Sequence, residues 1–344
     1  MSITSFAGRS PAADRHASQI RMEQPRRSRE KLAIIGPGRA GSALAVLLSR
    51  RGWKVAAVAG RRAEAARRLA RRCGASVCSV DPVVSARVAD AVIIAVPDQD
   101  ISEVATQLAT LSGRRRPTRL RASASSNAGP AASRRPRGPG SERPRIALHT
   151  SGAAGAELLA PLRRSGWSTG SFHPLMTFSG ERGRLPDLGG VTFAIDGDAS
   201  ARRLARRMVL SFRARVLHVP STHRARYHLA ACLASNYLVT LAEEASELLE
   251  GAGLTRGRAL AALLPLMRAT VSNVSSAGIL RTLTGPVSRG DAETVRRHAA
   301  LLRGNRLGLA RLHRELVLRT VRLARSAGSL DPKGARRIEK ALGR

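Results

Sequence analysis

Two rhythms of apolar residues divide this chain. From Lys31 to Val219, short unbroken apolar runs alternate with stretches of helical spacing. Leu32–Ile35, Val55–Ala59, Ala75–Val80, Asp90–Val96, Arg145–His149, Val191–Asp196 and Arg215–Val219 read as strands. Between them, Ser42–Arg51, Ala63–Cys73, Ile101–Leu111, Ala154–Arg164 and Ala199–Arg213 read as helices. The run DAVIIAV at 90–96 is apolar on both faces, as a central parallel strand requires. After His223 the strand rhythm stops. Tyr227–Glu250, Arg256–Val271, Ala292–Arg303 and Leu307–Ala327 follow as helices. A last helix opens on Asp331-Pro332, with Asp at the N-cap and Pro at N1. The pattern predicts an α/β domain over residues 31–222, a doubly wound, mainly parallel sheet, and an all-α domain over 223–344.

Two stretches fit neither rhythm. Residues 1–30 are polar and aperiodic, and 113–145 consist of Arg, Ser, Pro, Gly and Ala with few large apolar side chains. Neither can bury enough apolar surface to offset the entropy of ordering. The expectation is a disordered N-terminal extension and a flexible insertion within the first domain.

The turn after the first strand gives the first functional signal. Gly36-Pro37-Gly38-Arg39-Ala40-Gly41 matches G-x-G-x-x-G, with a strand before it and a helix and second strand after it. In a dinucleotide site the first glycine permits the tight turn and the second lets backbone approach the pyrophosphate. The third lets helix and strand pack closely, and the helix N-terminus faces the phosphates. The Rossmann domain so defined needs a second feature to choose its cofactor. An NAD site places an acid near the end of the second strand, whereas this chain has Gly60-Arg61-Arg62. Two guanidinium groups suit a 2′-phosphate, which points to NADP(H). A solvated basic helix start is the other reading of the pair. Val96 and Pro97, at the end of the fourth strand, should border the same cofactor.

Composition narrows the class. The 344 residues are 43% hydrophobic but only 3% aromatic, so the core must rest on Leu, Val and Ala. No apolar run approaches the roughly 18 residues of a membrane span, and no secretory h-region opens the chain. The three cysteines Cys73, Cys78 and Cys232 lack zinc spacing and read as reduced thiols, which suggests a cytoplasmic protein with no metal. The formal net charge is +35, carried almost wholly by Arg. Six Arg lie in residues 1–29 and ten in 113–145, and the rest are spread over predicted helix surfaces. No aromatic platform accompanies them, so nucleic-acid binding is the weaker reading.

Six stretches carry a family resemblance: GPGRAGSAL (36–44), AVPDQDI (95–101), LHTSGA (148–153), GSFHPLMTF (170–178), YHLAACLASNYL (227–238) and LTGPVSRGD (283–291). In this order they resemble a family with a Rossmann-like NADP-binding domain followed by a helical domain of unknown function 2520. That family lies within the wider superfamily of 6-phosphogluconate, β-hydroxyacid and prephenate dehydrogenases with pyrroline-5-carboxylate reductases. The resemblance implies the fold and the NADP cofactor but supplies no substrate. In β-hydroxyacid dehydrogenases a catalytic Lys stands four residues before an Asn on the first long helix. Asn236 matches the Asn, but Cys232 occupies the Lys position, so a Lys-assisted mechanism does not transfer. His173-Pro174 resembles the His-Pro element of prephenate dehydrogenases.

Ligands of an open α/β sheet bind beyond the carboxyl ends of its strands, where Asp98, Ser151 and His173 fall. Ser151 could bond substrate or nicotinamide, or cap the helix that follows. His173 could donate a proton near neutral pH as hydride arrives, or be a loop histidine bonded to backbone. Asn236, mid-helix in an apolar stretch, could orient substrate. His228, eight residues earlier, lies on roughly the same helix face and is a further substrate-binding candidate. Arg289 could clamp a substrate carboxylate, or sit in a solvated turn with Asp291 capping the next helix. The expected function is an NADP-dependent oxidoreductase of a small carbonyl, imine or hydroxy-acid compound, with hydride transfer in an interdomain cleft. A homodimer through the helical domain is expected. The alternatives are a non-catalytic NADP-binding regulator and, more remotely, a nucleic-acid-binding protein.

Overall fold

The computed structural model describes residues 30–115, 143–178, 185–303 and 307–343. Most of the expected N-terminal extension and of the expected insertion lies outside the described residues. The chain divides into two compact units, the first ending at Ala231 and the second starting at Cys232.

The first unit opens with β1 (Lys31–Ile35), α1 (Arg39–Arg50), β2 (Lys54–Ala59), α2 (Ala63–Cys73) and β3 (Val77–Ser79). Then come α3 (Pro82–Arg87), β4 (Ala91–Ile94) and α4 (Asp98–Leu108). The short strands β5 (Arg114–Arg115) and β6 (Arg143–Pro144) pair antiparallel with each other, so the two ends of the insertion meet as a ladder. The unit continues with β7 (Ile146–His149), α5 (Ala160–Arg164), β8 (Ser168–Pro174), β9 (Thr192–Gly197), α6 (Ala199–Ser211), β10 (Arg215–His218) and most of α7 (Arg224–Ala234). One eight-stranded sheet runs in the order β10-β9-β8-β7-β4-β1-β2-β3. Every neighbour pair is parallel except β8 with β9. The fold is thus the doubly wound, mainly parallel sheet that the alternating pattern predicts.

β8 has no counterpart among the predicted strands, because GSFHP interleaves small and polar residues where the other strands are aliphatic. Its polar residues are nonetheless buried: Ser168, Thr169 and Ser171 are each under a tenth exposed. The sheet separates two apolar layers. Leu32, Ile34, Leu44, Leu48, Ile93, Phe172 and Phe193 lie in one. Ala33, Ile35, Val92, Ile94, Ile101, Leu108 and Trp167 lie in the other. Alternate residues of β1 and β4 therefore face opposite layers, as the period of a strand demands.

The second unit contains α8 (Asn236–Glu250), α9 (Arg256–Ala277), α10 (Ile279–Thr282), α11 (Ala292–Leu301), α12 (Leu307–Ser326) and α13 (Pro332–Ala341). The single helix expected over 227–250 is instead α7 and α8, broken at Ser235, whose φ/ψ of −131°/−70° leaves the helical region. Ser235 N–H bonds the Cys232 carbonyl, three residues back, and so tightens the turn. Val295, Val317, Val321 and Ile338 centre a small core formed by α11, α12 and α13. In contrast, α9 buries only Ala259, and Leu260, Leu266, Val271 and Val274 stay exposed. No helix among the described residues is long and apolar enough to cross a membrane.

Candidate functional site

The three glycines of the turn after β1 face three different environments. Gly36 has φ +102°, and a Cβ there would stand 2.4 Å from the Ala95 carbonyl oxygen. A Cβ on Gly41 would stand 2.1 Å from the Gly36 carbonyl oxygen. Gly38, the N-cap of α1, has φ −75° and nothing within 4 Å of its would-be Cβ. Two glycines are therefore required by packing and the third by an open cradle. Among the described residues no side chain caps α1, so its first N–H groups face that cradle. This is the geometry a pyrophosphate needs.

A groove of about 570 Å³ runs from Gly36–Gly38 past Gly60, Arg61 and Arg62. Val96, Pro97 and the α4 residues Asp100, Glu103 and Gln107 form its other wall. Pro37 lies over Gly60, where a Cβ would stand 2.3 Å from its ring, so the glycine at 60 lets the two turns close together. Arg61 pairs with Asp100 at 3.4 Å, yet its side chain is 85% exposed. Such a pair is weak and leaves the guanidinium free to change partner. Arg39 and Ala40 are the first two residues of α1, with Arg39 exposed. All the sequence-derived cofactor residues thus lie at the turn, in the first turn of α1 or along the groove.

A polar cluster lies at the ends of β7 and β8. His149 is fully buried, and its Nε2 lies 2.8 Å from the Gly155 carbonyl. Its Nδ1 accepts from the Ser151 N–H at 3.2 Å, which fixes the proton on Nε2. Burial pushes its pKa down to about 4, with Arg224 adding to the fall. His149 is therefore a neutral strut for the loop at 149–155. Ser151 Oγ donates to Asp98 Oδ2 at 2.6 Å and accepts from the Ala154 N–H at 3.3 Å. The serine thus does local turn work, and its proton is already taken by a carboxylate.

His173 Nδ1 lies 2.8 Å from the Tyr227 hydroxyl. The two rings meet edge to face with centroids 5.6 Å apart. Gly152 lies against this pair: a Cβ there would stand 2.7 Å from His173 Nε2 and 3.0 Å from His228 Cδ2. The structure thus brings His173, His228 and the Ser151 loop together. Burial, aided by the Arg224 charge, lowers the His173 pKa to about 4. This corrects the expectation of a proton donor titrating near neutrality: at pH 7 the ring is neutral. Burial raises the Tyr227 pKa to about 12.

Asn236 is the first residue of α8 and is exposed, not buried in mid-helix. Arg289 is exposed in the turn before α11, where Asp291 caps the helix by accepting from the Thr294 N–H. Both belong to the second unit. Tyr227, Arg224 and His149 escaped the sequence reading. A signal was present for the first two: Arg224, Tyr227 and His228 are spaced i, i+3, i+4 and share a helix face.

Residues 31–115 match the family described as NADP oxidoreductase coenzyme F420-dependent, and residues 191–320 match a domain of unknown function, DUF2520. The second match begins inside the sheet, just before β9. A protein of Bacteroides fragilis described as an NADP oxidoreductase is 22% identical, with a TM-score of 0.64 over 85% of this chain and 98% of that one. A protein of Thermotoga maritima is 24% identical, with a TM-score of 0.59 over 86% and 98%. A pyrroline-5-carboxylate reductase of Coxiella burnetii is 15% identical, with a TM-score of 0.53 over 87% and 98%. At these identities the likeness is one of fold. No protein of curated function matches the sequence. The chain thus carries a match to the NADP oxidoreductase, coenzyme F420-dependent, family ahead of a match to DUF2520.

Proposed function

We propose that the protein is an NADPH-dependent reductase of a small carbonyl, imine or hydroxy-acid compound, working at the cluster beyond β7 and β8. The observation that carries this reading is the 2.8 Å contact between His173 and Tyr227 beside the bare backbone of Gly152. It stands at the same carboxyl edge of the parallel strands as the glycine turn after β1, where ligands of such sheets bind.

Gly36–Gly41, Arg61, Arg62, Val96 and Pro97 would hold the cofactor. Bound NADPH supplies the hydride. The chain must then supply a proton to the oxygen or nitrogen that becomes negative. His173, being neutral, does so as half of a pair. Its Nε2–H donates outward while its Nδ1 takes the proton of the Tyr227 hydroxyl. The phenolate so formed lies near the Arg224 guanidinium, 5.9 Å from the ring centroid, which offsets its charge. Solvent returns the proton to Tyr227. Gly152 supports the reading because any side chain there would fill the space at His173 Nε2. His228, against the same glycine, and Asn236 and Arg289 are further substrate-binding candidates.

Once an acceptor is known, His173→Gln and Tyr227→Phe should each lower kcat by about 10²-fold or more while NADPH affinity holds. Wild-type kcat in both would overturn the assignment. We further propose that two copies associate through α8 and α9, because Tyr237, Val239, Leu266 and Val271 are all exposed there. We take the cytoplasm as the site of action, since Cys73 and Cys78 are free thiols.

A further inference from the structure

One buried side chain in the cluster has a valence that the protein leaves open. Arg224 is 1% exposed, the largest fully buried side chain among the described residues. Its Nε donates to the Val219 carbonyl at 3.1 Å, and its Nη2 donates to the Ser171 hydroxyl. Its Nη1 is buried and has no hydrogen-bond partner among the described residues. Arginine stays charged in proteins, so this is a buried cation with a donor unused. Leaving such a group unpaired is costly, and native structures seldom keep one without a partner that joins later.

The two acids that feel its charge are engaged elsewhere. Asp196 accepts from the Ser221 N–H at 3.1 Å and pairs with His218 at 3.2 Å. Glu157 accepts from the Gly155 N–H at 2.7 Å. Neither forms an ion pair with Arg224 among the described residues. Arg224 instead holds a positive field over Tyr227, His173 and His149, and helps keep both histidines neutral. A site that keeps a buried cation and bars its imidazoles from charging is prepared for an anion.

We propose that Arg224 is the anion-binding residue of this site and that its Nη1 takes a carboxylate oxygen of the substrate, which narrows the substrate class to small 2-oxo or 2-imino acids. The narrowing rests on the reductase reading above; the carboxylate site itself does not. A guanidinium already held at Nε and Nη2 presents Nη1 with little further ordering cost, and a charge-assisted bond in a dry setting is among the stronger ones. The Ser171 hydroxyl and Tyr227 ring fix its plane. The competing occupant of the same valence is a single water molecule, which would satisfy Nη1 without selecting for charge.

The test measures binding to the full-length protein saturated with NADP, using pyruvate, 2-oxobutanoate and their uncharged amides as probes in a calorimetric titration. The proposal requires each acid to bind at least about tenfold more tightly than its amide. It requires Arg224→Met to abolish the preference and Arg224→Lys to keep part of it, with NADP affinity showing that each variant is folded. If Arg224→Met does not fold, the acid-to-amide ratio in wild type and in Arg224→Lys decides alone. Acids and amides binding alike, or neither binding at all, would overturn the proposal in favour of buried water. Acid-selective binding in a protein that, supplied with NADPH and the same acids in a parallel absorbance assay, oxidises none of it would overturn the reductase reading and leave the carboxylate site standing.

Discussion

Replacing Gly38 by Ala separates cofactor binding from folding. The residue has φ −75°, which alanine adopts freely, and its added methyl meets no protein atom within 4 Å. Replacing glycine by alanine at an N-cap costs about 0.5–1 kcal/mol, and the smaller entropy of the unfolded chain returns a similar amount. Melting temperature should therefore stay within about 2 °C of wild type. Binding should not. The methyl projects into the open space at the N-cap of α1, where a pyrophosphate would meet the first N–H groups. Pushing the phosphates outward by a methyl radius forfeits one or two charge-assisted hydrogen bonds, together about 3 kcal/mol, or roughly a hundredfold in Kd. Gly41→Ala should do the reverse. Its Cβ would stand 2.1 Å from a backbone oxygen and 3.0 Å from the Ala95 Cβ, so α1 must shift off β1. The cost is about 1–3 kcal/mol of stability. Thermal melts and NADPH titrations of the two variants provide the assay. A Gly38→Ala protein that binds NADPH like wild type would refute the placement of the phosphates, and a fully stable Gly41→Ala would refute the packing argument.

Other perturbations follow from the same structure. Arg61→Ala combined with Arg62→Ala should weaken NADPH about ten- to hundredfold and leave NADH unchanged, since both side chains line the groove and only the former cofactor has a 2′-phosphate. Asp100→Asn should tighten NADPH a few-fold by freeing Arg61, and a loss equal for both cofactors would contradict the arginine assignment. His149 ordinarily titrates near 6.5 and in the fold near 4, so as pH falls through this window the unfolded chain binds its proton first. Stability should drop between pH 6.5 and 4 by up to about 3 kcal/mol from this residue, and His149→Gln should flatten that part of a urea-midpoint profile. Leu266→Asp should lower the mass seen by light scattering from two copies to one at micromolar protein, and an unchanged mass would count against pairing through α9.

The strand-turn-helix at 31–51 was legible because three separate signals agreed there: an apolar run, fixed glycine offsets and helical spacing. Arg61 and Arg62, where an NAD site has an acid, add the cofactor class. The sheet's far half was harder to read. β8 buries serines and a threonine, which pattern alone assigns to loop, and they are satisfied only by partners distant in sequence such as Asp198 and Arg224. The histidine at 173 was found by its place beyond a strand, but its charge state was not, because the burial and the Arg224 cation that lower its pKa come from tertiary packing. Tyr227 and Arg224 carried a face-sharing spacing, yet nothing local says that this face covers β8. Asn236 was misplaced by one break: the helix stops at Ser235, and no proline or glycine announces it.

The central claim is hydride transfer at the cluster around His173. The most direct test is a stopped incubation of the protein with NADPH carrying deuterium at the nicotinamide C4, over a panel of 2-oxo acids and cyclic imino acids. Mass spectrometry then reads deuterium at the former carbonyl or imine carbon. The account requires stereospecific transfer to at least one member of the panel, lost in His173→Gln and retained with NADPH affinity unchanged in a distant surface variant. Saturation with NADPH but no deuterium in any product, or transfer at the wild-type rate in His173→Gln, would contradict it.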